Sequence, residues 1–228
     1  MKKMYDKKMI RGAKQTNIMH KSIGPRKSPK QDRSKERYQK ILEVTFETID
    51  EVGYENTTTD IIAERCRISV GSLYQFFPNK ETIVFTYAEI LYIQLHDLFF
   101  QKIWQLEKKY RKYSEGLIQE ILFAFESSME EVSAYQTLHS ILYTHPSLLK
   151  LDYKSNERFA KSLVTELLLP LFPKLSKSRA LVLSKITVES VDAVYRSLLR
   201  NKKNSKSKKE QIVQELERFL HAYWKTIQ

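Results

Sequence analysis

The sequence predicts an all-α protein in two parts, a small three-helix head and a larger helical body. Three observations carry the prediction. Apolar residues recur at three- and four-residue spacing from Ile41 to Trp224, the period of helices with one buried stripe. No stretch alternates in the manner of a strand, and no internal repeat is found. The breaks in the pattern fall at residues that cap or stop helices, among them Gly53, Ser69, Pro78 and the run from Pro170 to Pro173. At 228 residues the chain exceeds the commonest size of a single domain, which fits a head and a body.

Residues 1–32 mix Lys, Arg, Ser, Gln and Pro with few apolar side chains and no helical period, and read as a disordered basic arm. A solubilising role and a DNA-gripping role fit it equally. From Arg37 the pattern changes: Ile41, Leu42, Thr45, Phe46, Ile49 and Val52 share one helical face. Gly53 ends that helix, because glycine accepts the left-handed conformation needed just past a helix C-terminus. Thr57, Thr58 and Thr59 then offer hydroxyl oxygens to the unpaired N–H groups of a second helix. This helix, with Ile61, Ile62 and Cys66 as its apolar positions, reaches only to about Arg65 or Cys66 before the turn Arg67-Ile68-Ser69. Ser69 caps a third helix of about two turns. On it Leu73, Phe76 and Phe77 are placed to pack inward, while Ser69, Val70, Gly71, Ser72, Tyr74 and Gln75 can face outward.

Pro78 interrupts the pattern, and Asn79 caps a long fourth helix carrying Val84, Tyr87, Ala88, Leu91, Leu95 and Leu98. The junction divides the chain into the arm at 1–32, the head at 33–80 and the body at 81–228. Within the body, helices are expected near 115–132, 134–143, 153–169, 178–200 and 209–226, with His145-Pro146 and the segment from Pro170 to Pro173 as separators.

Composition narrows the chemistry. The balance of 42% hydrophobic and 29% charged residues is that of a globular protein. No uninterrupted apolar run approaches the roughly 20 residues of a membrane helix, and residues 1–31 contain no apolar block of a secretory signal. A cytoplasmic protein without a membrane partner is expected. Cys66 is the only cysteine, which excludes an intrachain disulfide and a cysteine zinc cluster. The five glycines lie too far apart for a dinucleotide or phosphate loop. His139 and His145 are separated across Pro146 without a supporting Glu/His cluster, so no catalytic residue, metal site or cofactor is expected. The net charge of +12 points to a polyanionic partner. Its distribution is uneven: residues 1–33 carry a net +9, residues 34–80 a net −2 and the remainder +5.

Two short helices joined by a tight turn, the second about two turns long, have the layout of a helix-turn-helix reader. The co-spaced elements Arg37-Tyr-Gln-Lys-Ile-Leu, Gly53-Tyr54, Thr57-Thr58-Thr59, Ile62-Ala63, Ser69-Val70-Gly71-Ser72-Leu73-Tyr74 and Phe77-Pro78-Asn79-Lys80-Glu81 resemble the N-terminal domain of TetR-family regulators over about 50 residues without a gap. The resemblance implies a transcriptional regulator, usually a repressor, that leaves a palindromic operator when a small effector binds. It implies that Thr59, Tyr74 and Lys80 touch phosphate and that Ser69, Val70, Gly71 and Ser72 approach bases and backbone, and Thr57 and Thr58 are counted with Thr59 on the DNA-binding surface. Gln75 is the candidate base reader, since glutamine can bond an adenine edge at two points. The family often has a polar or basic residue where Val70 stands, and Val70 offers only apolar contact, for example with a thymine methyl.

In the body, Leu183, Thr187, Val191, Val194 and Leu198 form one stripe, and Val213, Leu216, Leu220 and Tyr223 or Trp224 another. The resemblance implies that these last two helices pair with their copies in a homodimer. The lysine-rich connection at 200–209 reads as a solvated loop. The middle of the chain is rich in aromatic residues, most of them core. Tyr92, Phe99, Trp104, Phe123, Tyr135 and Tyr143, with His139, are the candidates for lining the effector pocket that the resemblance implies. Cys66 on a short brace helix reads as a small buried hydrophobe. The alternative function is an architectural DNA binder, or a partner-binding protein using the same module.

Overall fold

The structure is a computed structural model and describes residues 32–110, 113–114, 116–132, 134–143, 145–201 and 205–227. All regular structure among the described residues is helical. The helices are α1 (Asp32–Val52), α2 (Thr59–Cys66), α3 (Val70–Phe76), α4 (Lys80–Lys109), α5 (Gly116–Glu131), α6 (Tyr135–Ile141), α7 (Pro146–Leu163), α8 (Lys177–Arg200) and α9 (Lys206–Lys225). Apart from Asp32, the expected basic arm lies outside the described residues.

The chain forms two compact units. The first comprises the described residues up to Thr48 together with Glu55–Thr86; the second comprises Ile49–Tyr54 and the described residues from Tyr87 onward. The division falls inside α1 and α4, which are continuous helices, so each unit is described by itself.

In the first unit the three-helix pattern follows from local chemistry. Ile41, Leu42, Thr45 and Phe46 of α1 are buried, and the Thr45 hydroxyl donates to the Ile41 carbonyl at 2.6 Å. α1 begins at Asp32, more than a turn before Arg37, because its first residues are polar and leave no apolar period to read. Gly53 has φ 83, as expected of a residue past the helix end, and its N–H donates to the Ile49 carbonyl at 2.9 Å. Val52, expected on the buried face, is exposed. The Thr58 side chain accepts from the Ile61 N–H and caps α2. The turn after α2 is made by Arg67 at φ 57, left-handed without glycine, which lets its N–H and that of Ile68 bond back into the helix. Beneath α3, Tyr38 stacks on Phe77 with ring centroids 4.9 Å apart and meets Phe76 edge-on at 6.2 Å.

In the second unit α7, α8 and α9 form the main stack, with α5 against α9 and α6 against α8. α7 starts earlier than expected, at Pro146: proline tolerates the first turn of a helix, where its missing N–H has no partner to lose. It also runs past its expected end. Val164–Leu168 widen into a π-helical turn and Leu169–Leu171 continue the helix through Pro170. Proline cannot donate, so a loosened turn just before it accommodates what a regular ladder would not. The stretch Lys80–Leu106 of α4 is, against expectation, long and apolar enough to cross a membrane by length and composition; 61% of its apolar window is buried inside the protein.

Candidate nucleic-acid interface and ligand cavity

α3 is held from below and open above. Leu73 and Phe76 are buried, while Ser69, Gly71, Tyr74 and Gln75 are exposed and Val70 and Ser72 half-buried. The Ser69 Oγ accepts from the Ser72 N–H at 3.2 Å and lies 2.9 Å from the Ser72 hydroxyl. That arrangement fixes the N-terminal end of the helix and keeps both hydroxyls at the surface. A Cβ built on Gly71 meets only the Ser69 Oγ, at 4.0 Å. Gly71 is therefore small at an open surface and not in a packed contact. The Tyr74 and Thr59 hydroxyls, from α3 and from the first residue of α2, lie 3.1 Å apart. They form one polar patch across the turn.

Thr58 is exposed and occupied as the α2 cap, through a 3.3 Å bond from the Ile61 N–H. Thr57 is a correction: at 1% exposure it faces the interior and leaves the candidate surface. Lys80, at the first position of α4, is half-buried. Below this surface Lys40 reaches the Cys66 carbonyl at 3.1 Å. Burial pushes the Cys66 thiol up, only partly offset by the Lys40 charge, so it stays protonated and unreactive.

The second unit contains a partly open, mostly apolar cavity. Of the residues expected there, Tyr92, Phe99 and Tyr135 line it. The others do not. Trp104 is 50% exposed, and its indole N–H donates to Glu166 at 2.7 Å. Phe123 is 70% exposed on the outer face of α5, and Tyr143 52% exposed. His139 is buried 4.5 Å, ring to ring, from Tyr135 but is not part of the lining. Helical spacing alone could not distinguish the two sides of these helices. Leu95, Ile121, Leu122, Phe125, Phe159, Leu163, Val188 and Val191 supply the remaining apolar wall.

One end of the cavity is polar, and sequence reasoning missed it. The Tyr92 hydroxyl donates to Asp152 Oδ1 at 2.8 Å. Arg196 Nη2 bridges Asp152 Oδ2, at 2.9 Å, and Asp192 Oδ2. Asn156 Nδ2 donates to Asp192 Oδ2 at 3.0 Å. Tyr92, Asn156 and Asp192 face the cavity. The signal was present on α7: Leu148, Asp152, Asn156, Phe159 and Leu163 follow one buried stripe, and two of them are polar where a core helix would have apolar residues. Reading the helix as beginning near 153 cut Leu148 and Asp152 from that stripe.

Burial and then the Asp152 carboxylate hold the Tyr92 hydroxyl well above its usual range, and Arg196 opposes this least of the causes. Tyr135 is raised for the same leading reasons. Burial works against the Arg196 charge, but hydrogen bonding to Tyr143 and the nearby Asp152 outweigh it. His139 is pushed down to about 4, chiefly by burial. Neither of its ring nitrogens has a hydrogen-bond partner among the described residues.

The stripes expected to meet a second subunit are largely taken up inside the chain. Leu183, Thr187, Val191, Leu198, Leu216, Leu220 and Trp224 are buried, and the Trp224 indole donates to Thr187 Oγ1 at 3.0 Å. Val194, Val213 and Tyr223 are half-buried. Amphipathic helices bury their most regular apolar stripe in their own core first. The exposed apolar residues of α8 and α9 are instead Leu181, Val182, Ile186 and Phe219.

Comparison with known proteins agrees with this architecture. The model of bacterial regulatory proteins of the tetR family matches residues 41–86. The uncharacterized HTH-type transcriptional regulator YuxN of Bacillus subtilis is 30% identical over 95 residues, covering 39% of this chain and 31% of that protein. The HTH-type transcriptional repressor KstR of Rhodococcus jostii is 41% identical over 46 residues, covering 20% and 22%. These matches thus span a third or less of the curated relatives. A TetR-family transcriptional regulator from Streptomyces coelicolor shares the fold over 84% of this chain and 99% of its own, with a TM-score of 0.52 and 20% identity.

Proposed function

We propose, from the match of residues 41–86 to the bacterial regulatory proteins of the tetR family, that the chain is a dimeric cytoplasmic repressor of that family. It reads a palindromic operator through α3 and is released by a small effector bound in the second unit. The observation that carries the reading is the asymmetry of α3: Leu73 and Phe76 are sunk into the unit, and Tyr74, Gln75 and the Ser69–Ser72 pair face outward. A reading helix needs a rigid inner face and a polar outer one. In this reading Gln75 bonds base edges. The Thr59–Tyr74 pair, Lys80, Ser69 and Ser72 grip phosphate and sugar, and Val70 and Gly71 permit close approach. With residues 34–80 at a net −2, the basic residues at 1–33 supply much of the phosphate attraction.

Two continuous stretches connect reading and ligand binding. α4 runs from Lys80 to the cavity residues Tyr92, Leu95 and Phe99. The end of α1 is held to the body: Asp50 accepts from the Thr137 hydroxyl at 3.0 Å, and the Tyr54 hydroxyl lies 2.7 Å from His145 Nε2. α6, which carries Thr137, also places Tyr135 in the cavity wall. Effector and DNA then favour different states, and each weakens the other's binding by the same factor. The homodimer is assigned to the outer faces of α8 and α9, around Val182, Ile186 and Phe219.

The test is selection of bound sequences from random DNA with the full chain and with Gln75→Ala. The expected result is a palindrome whose preference relaxes at one position per half-site, by about 1–3 kcal/mol in discrimination. Long unspecific protection overturns the reading in favour of an architectural binder, and absence of binding at low salt in favour of a partner-binding module.

A further inference from the structure

The cavity contains more information than its apolar walls. Asp192 is the charged side chain in its lining. One of its oxygens, Oδ2, is committed to Asn156 and Arg196, while Oδ1 takes no hydrogen bond from the described residues. Behind it stands Asp152, so two buried carboxylates share the single guanidinium of Arg196. The local balance is one negative charge in excess. Arg200 does not redress it: it is exposed and stacks over the Tyr143 ring at 4.5 Å, outside the lining. Buried charge in a low-dielectric site requires a partner.

The rest of the wall suits the same partner. Tyr92, Phe99, Phe125, Tyr135 and Phe159 present aromatic rings to the cavity, and the faces of such rings attract cations. The Tyr92 hydroxyl spends its proton on Asp152, so towards a ligand its oxygen acts as an acceptor. An anionic head group would meet Asp192 directly. It would find Arg196 outside the lining and already bridged between two carboxylates.

We propose that this cavity binds a lipophilic cation, an apolar or aromatic body bearing one ammonium or amidinium group, with Asp192 as its counter-ion. The proposal deepens the effector reading and rests on it. The positive head lies at the Asp192 end, between the carboxylate and the aromatic rings. The body lies along Leu95, Leu122 and Val191.

Three probes of one shape test it: 4-phenylbutylamine, 4-phenylbutanol and 4-phenylbutanoate, titrated calorimetrically into the full chain without DNA. The amine should bind at least about tenfold more tightly than the alcohol, the difference expected of one charge-assisted hydrogen bond, and the carboxylate most weakly. Asp192→Asn should remove the preference for the amine over the alcohol. Because Asp192 also anchors Arg196 and Asn156, a second variant keeps that carboxylate: Val188→Lys, at a half-buried lining position one helical turn from Asp192, supplies an ammonium in the ligand's place and should abolish the preference for the amine. Equal or tighter binding of the carboxylate by the unmodified chain overturns the proposal. So does a preference insensitive to both variants, or failure of all three probes to bind. Operator release is measured separately with the same amine. Asp192-dependent binding that leaves DNA affinity unchanged upholds the ligand class and overturns the effector reading.

Discussion

His139 is buried beside Tyr135 and has no hydrogen-bond partner among the described residues for either ring nitrogen, so the neutral imidazole is the form its surroundings permit. Its pKa is lowered from 6.5 to about 4, first by burial and against the pull of Asp152. The sign of the consequence follows from which state holds the proton. Between these values the unfolded chain binds a proton that the folded chain refuses, so stability rises with pH there. Its contribution is complete above pH 6.5 and is lost as pH falls towards about 4. Thermal unfolding followed over that window should show the loss, and His139→Leu should flatten it; an unchanged pH slope in the variant would refute the assignment. At this scale the sequence was informative wherever a side chain's direction followed from a short amphipathic helix, as for Leu73 and Phe76 against Tyr74 and Gln75. It failed for Trp104, Phe123 and Tyr143, because an aromatic ring at helical spacing is equally compatible with the cavity side and the solvent side of a helix covered on two faces.

Helices that begin at hydroxyl or amide caps were legible, since a cap is a local device. Asn79 is the clearest: its Oδ1 accepts from the Thr82 N–H at 2.8 Å and from the Thr82 hydroxyl at 2.7 Å, so one side chain satisfies two donors at the start of α4. Asn79→Ala should cost about 1 kcal/mol, read as a fall of roughly 2–4 °C in melting temperature. A shift indistinguishable from zero would mean that the first turn of α4 is held by packing alone. The start of α1 and the passage of α7 through Pro170 were not legible, for opposite reasons. Asp32 to Glu36 lack apolar residues and so show no period. In α7 the period continues, but a π-helical turn absorbs the proline that normally ends a helix. The polar end of the cavity is an element-scale feature too. Asp152 and Asn156 on α7 meet Asp192 and Arg196 on α8 only once the two helices pack, and no single helix reveals that pairing.

The architecture of the whole molecule, all helical with a helix-turn-helix head at one end of the sequence, followed from pattern and spacing, but the apolar surface proposed for a second copy did not. Periodicity selects the stripe with the most apolar residues, and in α8 and α9 that stripe closes on itself through Trp224 and Thr187. What remains outside is less regular: Val182 at 57% and Phe219 at 53% exposure, with Leu181 and Ile186 between a third and a half exposed. These large apolar side chains, left open to water on two helices that pack together, are the basis of the proposed association surface. Val182→Asp combined with Phe219→Asp places two charges on that surface without touching the buried stripe. Sedimentation should then report a monomer where the unmodified chain sediments as a dimer. A twofold pair of reading helices spans half-sites about one DNA turn, roughly 34–36 Å, apart. The double variant should therefore lose its preference for two correctly spaced half-sites over one, while helical content by circular dichroism stays unchanged. A variant that remains dimeric and still distinguishes the spacing would move the interface elsewhere in the second unit.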